Sequence, residues 1–130
     1  MARPRRILVV DDDVDIREIL SDMLADAGYE VVHADDGSTA LKLLRGKGPR
    51  PDAILLDMMM PTMDGATFRT LQLADEALAK IPVVAISAFG KPRLPGVREA
   101  FAKPLDFAQI RAAIQRLLTP SSPPPSSATA

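Results

Sequence analysis

Short apolar runs alternate with segments of helical periodicity along most of this chain, and this alternation limits the folds open to it more than any other feature. The runs cover residues 7–10, 29–34, 52–57, 82–87 and 100–103. Strands that alternate with helices predict a parallel sheet, because each helix carries the chain back to the edge where the strands start. The pattern therefore predicts an α/β fold with a doubly wound, five-stranded parallel sheet and right-handed crossovers.

Four segments carry apolar residues at helical spacing and are predicted to be helices. The first ends at Gly28, the second follows the turn Asp36-Gly37, the third covers residues 66–80, and the last is capped by Asp106. At the start of the first helix, Asp13 is expected to act as a cap, and Asp15 and Glu18 have the capping-box spacing. The predicted core residues of the four helices are, in order, Ile16, Ile19, Leu20, Met23, Leu24 and Ala27; Ala40, Leu43 and Leu44; Phe68, Leu71, Ala74 and Leu78; and Phe107, Ile110, Ile114, Leu117 and Leu118.

Residues 88–99 interrupt the alternation between the fourth and fifth strands. Two glycines and two prolines, Gly90, Pro92, Pro95 and Gly96, leave no room for an ordinary helix there. At most one short turn is expected, so the fourth helix of the fold is predicted to be short or missing.

The composition fits one globular domain with a substantial core, since 47% of the 130 residues are hydrophobic. We expect an N-terminal arm at residues 1–6, a domain at residues 7–118, and a disordered Pro- and Ser-rich tail at residues 119–130. No further domain is expected after Leu118.

Charge and cysteine content narrow the classes of function. A formal net charge of -1 argues against a surface built to neutralise nucleic-acid phosphates. The chain has no cysteine, which excludes disulfides, thiol catalysis and thiolate metal sites and is compatible with a reducing compartment. No segment is long and apolar enough to enter a membrane, so a cytoplasmic protein is expected.

Polar residues stand at the ends of four of the five predicted strands. Asp11 and Asp12 end the first strand, Asp57 the third, Ser87 the fourth and Lys103 the fifth. Ligands of open α/β sheets bind outside the carboxyl ends of the strands, so these residues are expected to line one cleft. Three neighbouring carboxylates repel one another unless a cation neutralises them, and a hard divalent ion such as Mg²⁺ suits carboxylate oxygens.

Several short motifs make the chain resemble the response-regulator receiver domain of two-component signalling, over about residues 7–118 and of the single-domain type. The motifs are Val9-Val10-Asp11-Asp12-Asp13, Leu55-Leu56-Asp57-Met58-Met59-Met60-Pro61 with Met63-Asp64-Gly65, Ile86-Ser87-Ala88 and Ala102-Lys103-Pro104. The resemblance implies a flavodoxin-like (βα)₅ fold. It also implies a regulated phosphoprotein that accepts a phosphoryl group from a sensor histidine kinase or phosphotransfer protein and signals by protein–protein interaction to an unknown downstream protein.

The resemblance assigns a role to each residue of the predicted cleft. Asp57 would be the phosphoryl acceptor, and Asp11 and Asp12 would hold Mg²⁺ or Mn²⁺ together with Asp57 and the backbone carbonyl of Met59. Ser87 and Lys103 would bind the phosphoryl oxygens, with a cis peptide between Lys103 and Pro104. A chain of this kind catalyses only its own Mg²⁺-dependent phosphorylation and dephosphorylation and is not a conventional enzyme.

The sequence departs from the receiver pattern in the region that relays the signal. Residues 88–99 are shorter than usual by about six residues, roughly one and a half helical turns. Ala100 stands where the family has its switch aromatic residue, and Phe101, one residue later, is expected to face the opposite side of the sheet as part of the core. Residues that flank the site and are candidate modulators are Met58, Ala88, Phe89, Phe101 and Pro104, with Met59 and Phe89 expected to shield the site from water.

Two other interpretations are open at this point. A pseudo-receiver would keep the fold as a binding module and never accept phosphate, and the altered segment 88–99 is compatible with that. A haloacid-dehalogenase-type phosphatase would use the Asp11-x-Asp13 pattern after the first strand, with Ser87 and Lys103 as later motifs. The phosphatase reading leaves Asp57 unexplained and lacks a second acidic pair after Lys103.

Overall fold

The computed structural model describes residues 4–60, 63–88, 90, 93–97 and 99–118 of the chain. The strands are β1 (Arg6–Val10), β2 (Glu30–Ala34), β3 (Ala53–Asp57), β4 (Val83–Ser87) and β5 (Glu99–Ala102). The helices are α1 (Val14–Asp26), α2 (Gly37–Arg45), α3 (Gly65–Leu73), α4 (Glu76–Ala79) and α5 (Phe107–Leu118). All five predicted strands are present, each within one residue of its expected bounds.

The five strands form one parallel sheet in the order β2-β1-β3-β4-β5. This confirms the flavodoxin-like, doubly wound fold. Strand β3 lies in the middle of the sheet and every one of its residues is buried. The register aligns the carboxyl ends, since Val10 is opposite Leu56, and Asp57 is opposite Ile86. The chain therefore brings the ends of β1, β3 and β4 to one edge.

Successive side chains of each strand point to opposite faces of the sheet, and this divides the core into two layers, one on each face. On one face, Leu8, Ile54 and Leu56 pack with residues of α2 and with Phe68 of α3. On the other face, alternate strand residues such as Val9, Leu55 and Ile86 pack with buried residues of α1 and α5, among them Leu20, Leu24, Ile110 and Ile114. Both faces of the sheet are thus covered by helices.

The single helix predicted over residues 66–80 is wrong, because the structure has two helices there. Helix α3 ends at Leu73, and Asp75 begins α4 by accepting a hydrogen bond from the backbone N–H of Ala77 at 3.0 Å. An aspartate side chain that bonds its own neighbouring backbone competes with a continuing helix. Ala74, predicted to be core, is exposed at this break, whereas Leu78 is fully buried.

Three other predicted core positions are wrong, because the faces that α1 and α2 bury differ from those that the spacing suggested. Ile19 and Leu43 are exposed by 48% and 42%, and Ala27 is exposed at the end of α1. In α2, Leu41 is buried where Leu43 was expected. The N-cap of α1 is Asp13, as expected, and its side chain accepts from the backbone N–H groups of Asp15 and Ile16.

The described residues between β4 and β5, which leave out residues 89, 91, 92 and 98, contain no helix. This agrees with the prediction that the fourth helix is short or missing. A turn at Pro95 and Gly96 stands there instead, with Gly96 at a φ of +72°. The predicted tail at residues 119–130 lies outside the described residues. No described helix is both long and apolar enough to cross a membrane.

Candidate acidic site at the carboxyl edge of the sheet

Asp57 occupies the last position of the central strand and is only 2% exposed. Its Oδ1 accepts a hydrogen bond from the backbone N–H of Met59 at 3.3 Å. The next residue, Met58, is tied to β4 by a 2.8 Å hydrogen bond from its N–H to the carbonyl of Ile86. The carboxylate is therefore held on rigid backbone at the point where the strand gives way to a loop.

Asp11 and Asp12 follow β1 directly beside this position. Asp11 is 1% exposed, and its Oδ1 accepts from the backbone N–H of Asp13 at 2.9 Å. Its Oδ2 is buried without a hydrogen-bond partner among the described residues. Asp12 is exposed, and one carboxylate oxygen from each of Asp11, Asp12 and Asp57 lies within 4.8 Å of the other two.

Lys103 brings a positive charge to the same cleft from the end of β5. Its Nζ lies 3.8 Å from Oδ2 of Asp11 and 3.8 Å from Oδ1 of Asp57. The backbone N–H of Lys103 donates to the carbonyl of Ser87 at 2.8 Å, and the following peptide bond to Pro104 is cis. At 3.8 Å the ammonium reduces the repulsion between the two acids but is too far away to donate a hydrogen bond to either.

Burial, with the negative charge of neighbouring acids, raises the pKa values of Asp57 and Asp11. Burial is the main cause of the rise in the pKa of Asp57 to about 6, and the charge of Asp11 adds to it. The Met59 N–H and the charge of Lys103 offset part of this rise. Burial likewise raises the pKa of Asp11. The cleft thus holds three carboxylates and one ammonium close together, an arrangement that favours the binding of a further cation.

The residues present fit a hard divalent cation. The three carboxylates supply the oxygen ligands that such ions prefer. Oδ2 of Asp11 is a buried acceptor to which no group of the described residues donates a hydrogen bond. An acceptor left in that condition is costly unless a donor or a cation reaches it.

Ser87 ends β4, next to β3 in the sheet, and is 6% exposed. Its carbonyl is the group that fixes the backbone of Lys103. The structure therefore collects Asp11, Asp12, Asp57 and Lys103 in one cleft, and puts Ser87 on the strand between Asp57 and Lys103.

Gly65, the first residue of α3, packs directly against the end of β3. A Cβ atom on Gly65 would lie 2.6 Å from Sδ of Met58, 2.8 Å from Cα of Met58 and 3.1 Å from the carbonyl oxygen of Asp57. Its N–H donates to the carbonyl of Met58 at 3.0 Å. Only glycine permits this approach. The turn pair Asp64-Gly65 signalled a loop but not this contact, which depends on how α3 packs.

Arg17 was not foreseen as part of the site. Its Nη1 donates to the backbone carbonyl of Asp11 at 2.7 Å and so helps to fix the loop that carries Asp11 and Asp12. The residue is six positions away on α1, and an arginine on a helix surface carries no sequence signal for such a contact.

The residues proposed to flank the site differ in their surroundings. Met58 is half-buried, whereas Met59 is 53% exposed and Ala88 and Pro104 are exposed. Phe101 packs against the core layer of α1 and α5, on the face that strand alternation predicts for it. Phe89 lies outside the residues that the structure describes.

The sequence matches the model of one protein family, the response regulator receiver domain, over residues 7–115. Sporulation initiation phosphotransferase F of Bacillus subtilis (strain 168) is 34% identical over 120 residues, which cover 87% of this chain and 93% of that protein. Response regulator MprA of Mycobacterium sp. (strain KMS) is 37% identical over 125 residues, covering 92% of this chain and 53% of that protein. The chain thus spans nearly all of the first relative and about half the length of the second.

Solved structures show the same architecture. Chemotaxis response regulator CheY4 of Vibrio cholerae superposes with a TM-score of 0.78 at 29% identity, covering 89% of this chain and 100% of that one. The receiver domain of sensor histidine kinase PA1611 from Pseudomonas aeruginosa PAO1 superposes with a TM-score of 0.76 at 27% identity, covering 88% and 98%. That structure has a magnesium ion coordinated in its active site cleft.

Proposed function

Since this chain belongs to the response regulator receiver domain family, we propose that it is a phosphorylatable receiver whose acceptor is Asp57. Receiver domains are signalling modules of two-component systems and not conventional enzymes. The observation that carries the proposal is the position of Asp57: a buried carboxylate at the end of the central strand, within 4.8 Å of two further acids and 3.8 Å from a lysine. A carboxylate that acts only as a turn former needs none of these neighbours.

The proposed reaction is phosphoryl transfer to one carboxylate oxygen of Asp57. That oxygen attacks the phosphorus atom of a phosphohistidine, the P–N bond breaks, and its electron pair stays with the departing imidazole, which then takes up a proton. The product is an acyl phosphate on Asp57. With a pKa near 6, the carboxyl group is mostly ionised at neutral pH and is more basic than an ordinary aspartate, which suits a nucleophile.

The other residues of the cleft have supporting roles in this proposal. Asp11, Asp12, Asp57 and the backbone carbonyl of Met59 would hold Mg²⁺ or Mn²⁺, which when bound supplies positive charge to the phosphoryl oxygens. Lys103 reaches the same oxygens from β5. Ser87 offers a hydroxyl from β4, on the neighbouring side of Asp57. Once Asp57 is modified, these two residues bind the added oxygens and favour a second arrangement of the surface around them.

The proposed partners follow from this chemistry. The phosphoryl donor would be a sensor histidine kinase or a phosphotransfer protein, and the phosphorylated surface would be read by a downstream protein. The likeness to a phosphotransferase of a sporulation pathway and to receiver domains of histidine kinases supports such a position in a relay.

Intact-mass measurement tests the assignment of Asp57. The wild-type chain, incubated with Mg²⁺ and acetyl phosphate or with a cognate kinase, is expected to gain the mass of one phosphoryl group. The Asp57→Asn variant should gain none, and Asp22→Asn, which changes an exposed acid on α1, should behave as wild type.

The same measurement separates the alternatives. A wild-type chain that stays unlabelled with both donors, yet binds a kinase, would favour the pseudo-receiver. Steady release of phosphate without labelling of Asp57 would favour the phosphatase. Either result would overturn the proposal.

A further inference from the structure

Arg69 on α3 carries its positive charge in a buried position. The residue is 5% exposed, and none of the ion pairs among the described residues involves it. Burial alone lowers the pKa of its guanidinium. Burying a charged side chain is costly unless hydrogen bonds compensate for the lost water. The hydrogen-bond partners of Arg69 therefore show what holds it in this position.

Among the described residues, Arg69 donates its hydrogen bonds to neutral oxygen atoms. Nε and Nη2 both donate to the carbonyl of Pro95, at 3.0 and 2.8 Å, and Nη1 donates to Oε1 of Gln72 at 2.9 Å. Pro95 lies in the connecting segment, residues 93–97, which precedes β5 where a fourth helix is expected in this family. Arg69 thus clamps this connecting segment to α3.

The backbone of the connecting segment packs closely on the guanidinium. A Cβ atom on Gly96 would lie 3.0 Å from Nη2 of Arg69, and the φ of +72° at Gly96 is strained for any other residue. The N–H of Val97 closes the turn by donating to the carbonyl of Leu94 at 3.1 Å. The turn therefore has one defined position relative to α3.

The other end of α3 touches the acceptor strand. Gly65 donates to the carbonyl of Met58 and leaves no space between α3 and the Asp57–Met58 backbone. Gly65 and Arg69 are four residues apart, so they lie on the same side of the helix, and both are buried. Contacts run without a gap from Asp57 through the first turn of α3 to Pro95.

We propose that Arg69 is the positioning residue through which the phosphorylation state of Asp57 reaches the connecting segment 93–97. Since the described residues between β4 and β5 contain no helix, the contact between Arg69 and Pro95 would carry the signal in its place. A shift of the β3–α3 junction moves α3, and the two hydrogen bonds to the Pro95 carbonyl carry that shift to Pro95 and Gly96. The inference rests on the proposed function, since it needs Asp57 to change state. The surface read by a downstream protein would then include the turn at Pro95 and Gly96.

Amide NMR of the full chain, with and without acetyl phosphate and Mg²⁺, tests the proposal. In the wild type, phosphorylation should shift the amide signals of Gly65, Gly96 and Val97. In Arg69→Lys, which keeps the charge but loses the bidentate fork, the shift at Gly65 should persist while those at Gly96 and Val97 fall about twofold or more. Arg111→Lys, a change at an exposed arginine of α5, is the matched control and should keep all three shifts.

A second variant keeps the proposal testable if Arg69→Lys does not fold. Gly96→Ala puts a methyl group against Nη2 on an exposed turn, and should reduce the phosphorylation-dependent shift at Val97 while Gly65 responds normally. A purely structural clamp would alter the spectra of both states equally and leave the difference between them unchanged.

The outcomes distinguish the two proposals. Shifts at Gly65 without shifts at Gly96 and Val97 in the wild type would overturn the role of Arg69 alone. Equal shifts at Val97 in wild type, Arg69→Lys and Gly96→Ala would do the same. No shift at Gly65 and no gain of mass would overturn the proposed function together with this inference.

Discussion

The carboxyl group of Asp57 is buried next to that of Asp11, and this makes its ionisation costly in the folded chain. Its pKa of about 6 lies above the ordinary value of 3.8. At a pH between these two values, the folded state therefore keeps a proton that the unfolded state has released. The stability that this proton provides is complete below the unfolded pKa and is lost as pH rises through about 6. The full shift corresponds to about 3 kcal/mol.

We therefore expect Asp57→Asn to stabilise the metal-free protein in a pH-dependent way. In the presence of a chelator, the unfolding free energy of the variant should exceed that of wild type by about 3 kcal/mol at pH 8 and be close to that of wild type at pH 4. Urea denaturation at a series of pH values measures this difference. A difference that is constant across the series would contradict the raised pKa.

Gly65 is a second residue whose environment sets a clear expectation. Because its Cβ would lie 2.8 Å from the backbone Cα of Met58, which cannot rotate away, Gly65→Ala should cost about 1–3 kcal/mol of unfolding free energy. Gly48→Ala is the matched control, since a Cβ there meets nothing within 4 Å, and it should be neutral or slightly stabilising. Equal stability of the two variants in urea denaturation would show that α3 can move away from β3.

At the scale of elements, Gln72 joins α3 to the end of α4. It is fully buried, and its Nε2 donates to the carbonyls of Leu78 and Ile81 at 2.9 and 3.0 Å while its Oε1 accepts from Arg69. Gln72→Leu removes all three of these bonds, although the carbonyl of Leu78 still accepts from the backbone N–H of Ile81 at 3.1 Å. The Ile81 carbonyl and Nη1 of Arg69 lose this partner in a buried site, so we expect a loss of about 3 kcal/mol. Gln109→Leu, on the exposed side of α5, should change the unfolding free energy by no more than about 0.5 kcal/mol. Similar effects of the two changes would refute this account of the helix junction.

The strands could be predicted from the sequence, whereas the helices that connect them could be predicted only in part. Apolar runs such as residues 52–57 are bounded by turn residues and leave little choice of structure. The break between α3 and α4 was missed because Asp75 lies within a pattern that remains helical on both sides of it. Whether an aspartate caps a new helix or points to solvent depends on tertiary contacts such as those of Gln72, which local spacing does not contain.

At the scale of the whole molecule, the acidic cleft should couple cation binding to global stability. A ligand that binds only the folded state adds about 2.7 kcal/mol when its concentration is 100 times its dissociation constant. Millimolar Mg²⁺ is therefore expected to raise the melting temperature of the wild type by several degrees. Calorimetry of the chain in Mg²⁺ and in chelator measures this.

Two variants at exposed acids test this prediction, one within the acidic cluster and one outside it as the control. Asp12→Asn should remove most of the Mg²⁺-dependent rise, because Asp12 belongs to the cluster yet is exposed and bears little on folding. Asp22→Asn should leave the rise unchanged. A wild-type melting curve that is the same with and without Mg²⁺ would argue against the metal site.

The residues that line the cleft could be predicted from the sequence, because a parallel sheet brings the carboxyl ends of its strands to one edge. Asp11, Asp57 and Lys103 needed only the strand assignments to be placed together. The contacts of Arg17 and Arg69 could not be foreseen, since a long side chain can reach any of several backbone carbonyls and the choice depends on the assembled packing. The sequence was thus a better guide to the chemistry of the edge than to the contacts that support it.

The close approach of Gly65 to the acceptor strand also has a consequence for inheritance. Every single-base change that alters a glycine codon to another amino acid introduces a side chain, and none fits beside Met58. Descendants of this chain that still depend on α3 lying against β3 should therefore retain glycine at position 65. Position 48, where a Cβ meets nothing, is free to vary from one lineage to the next.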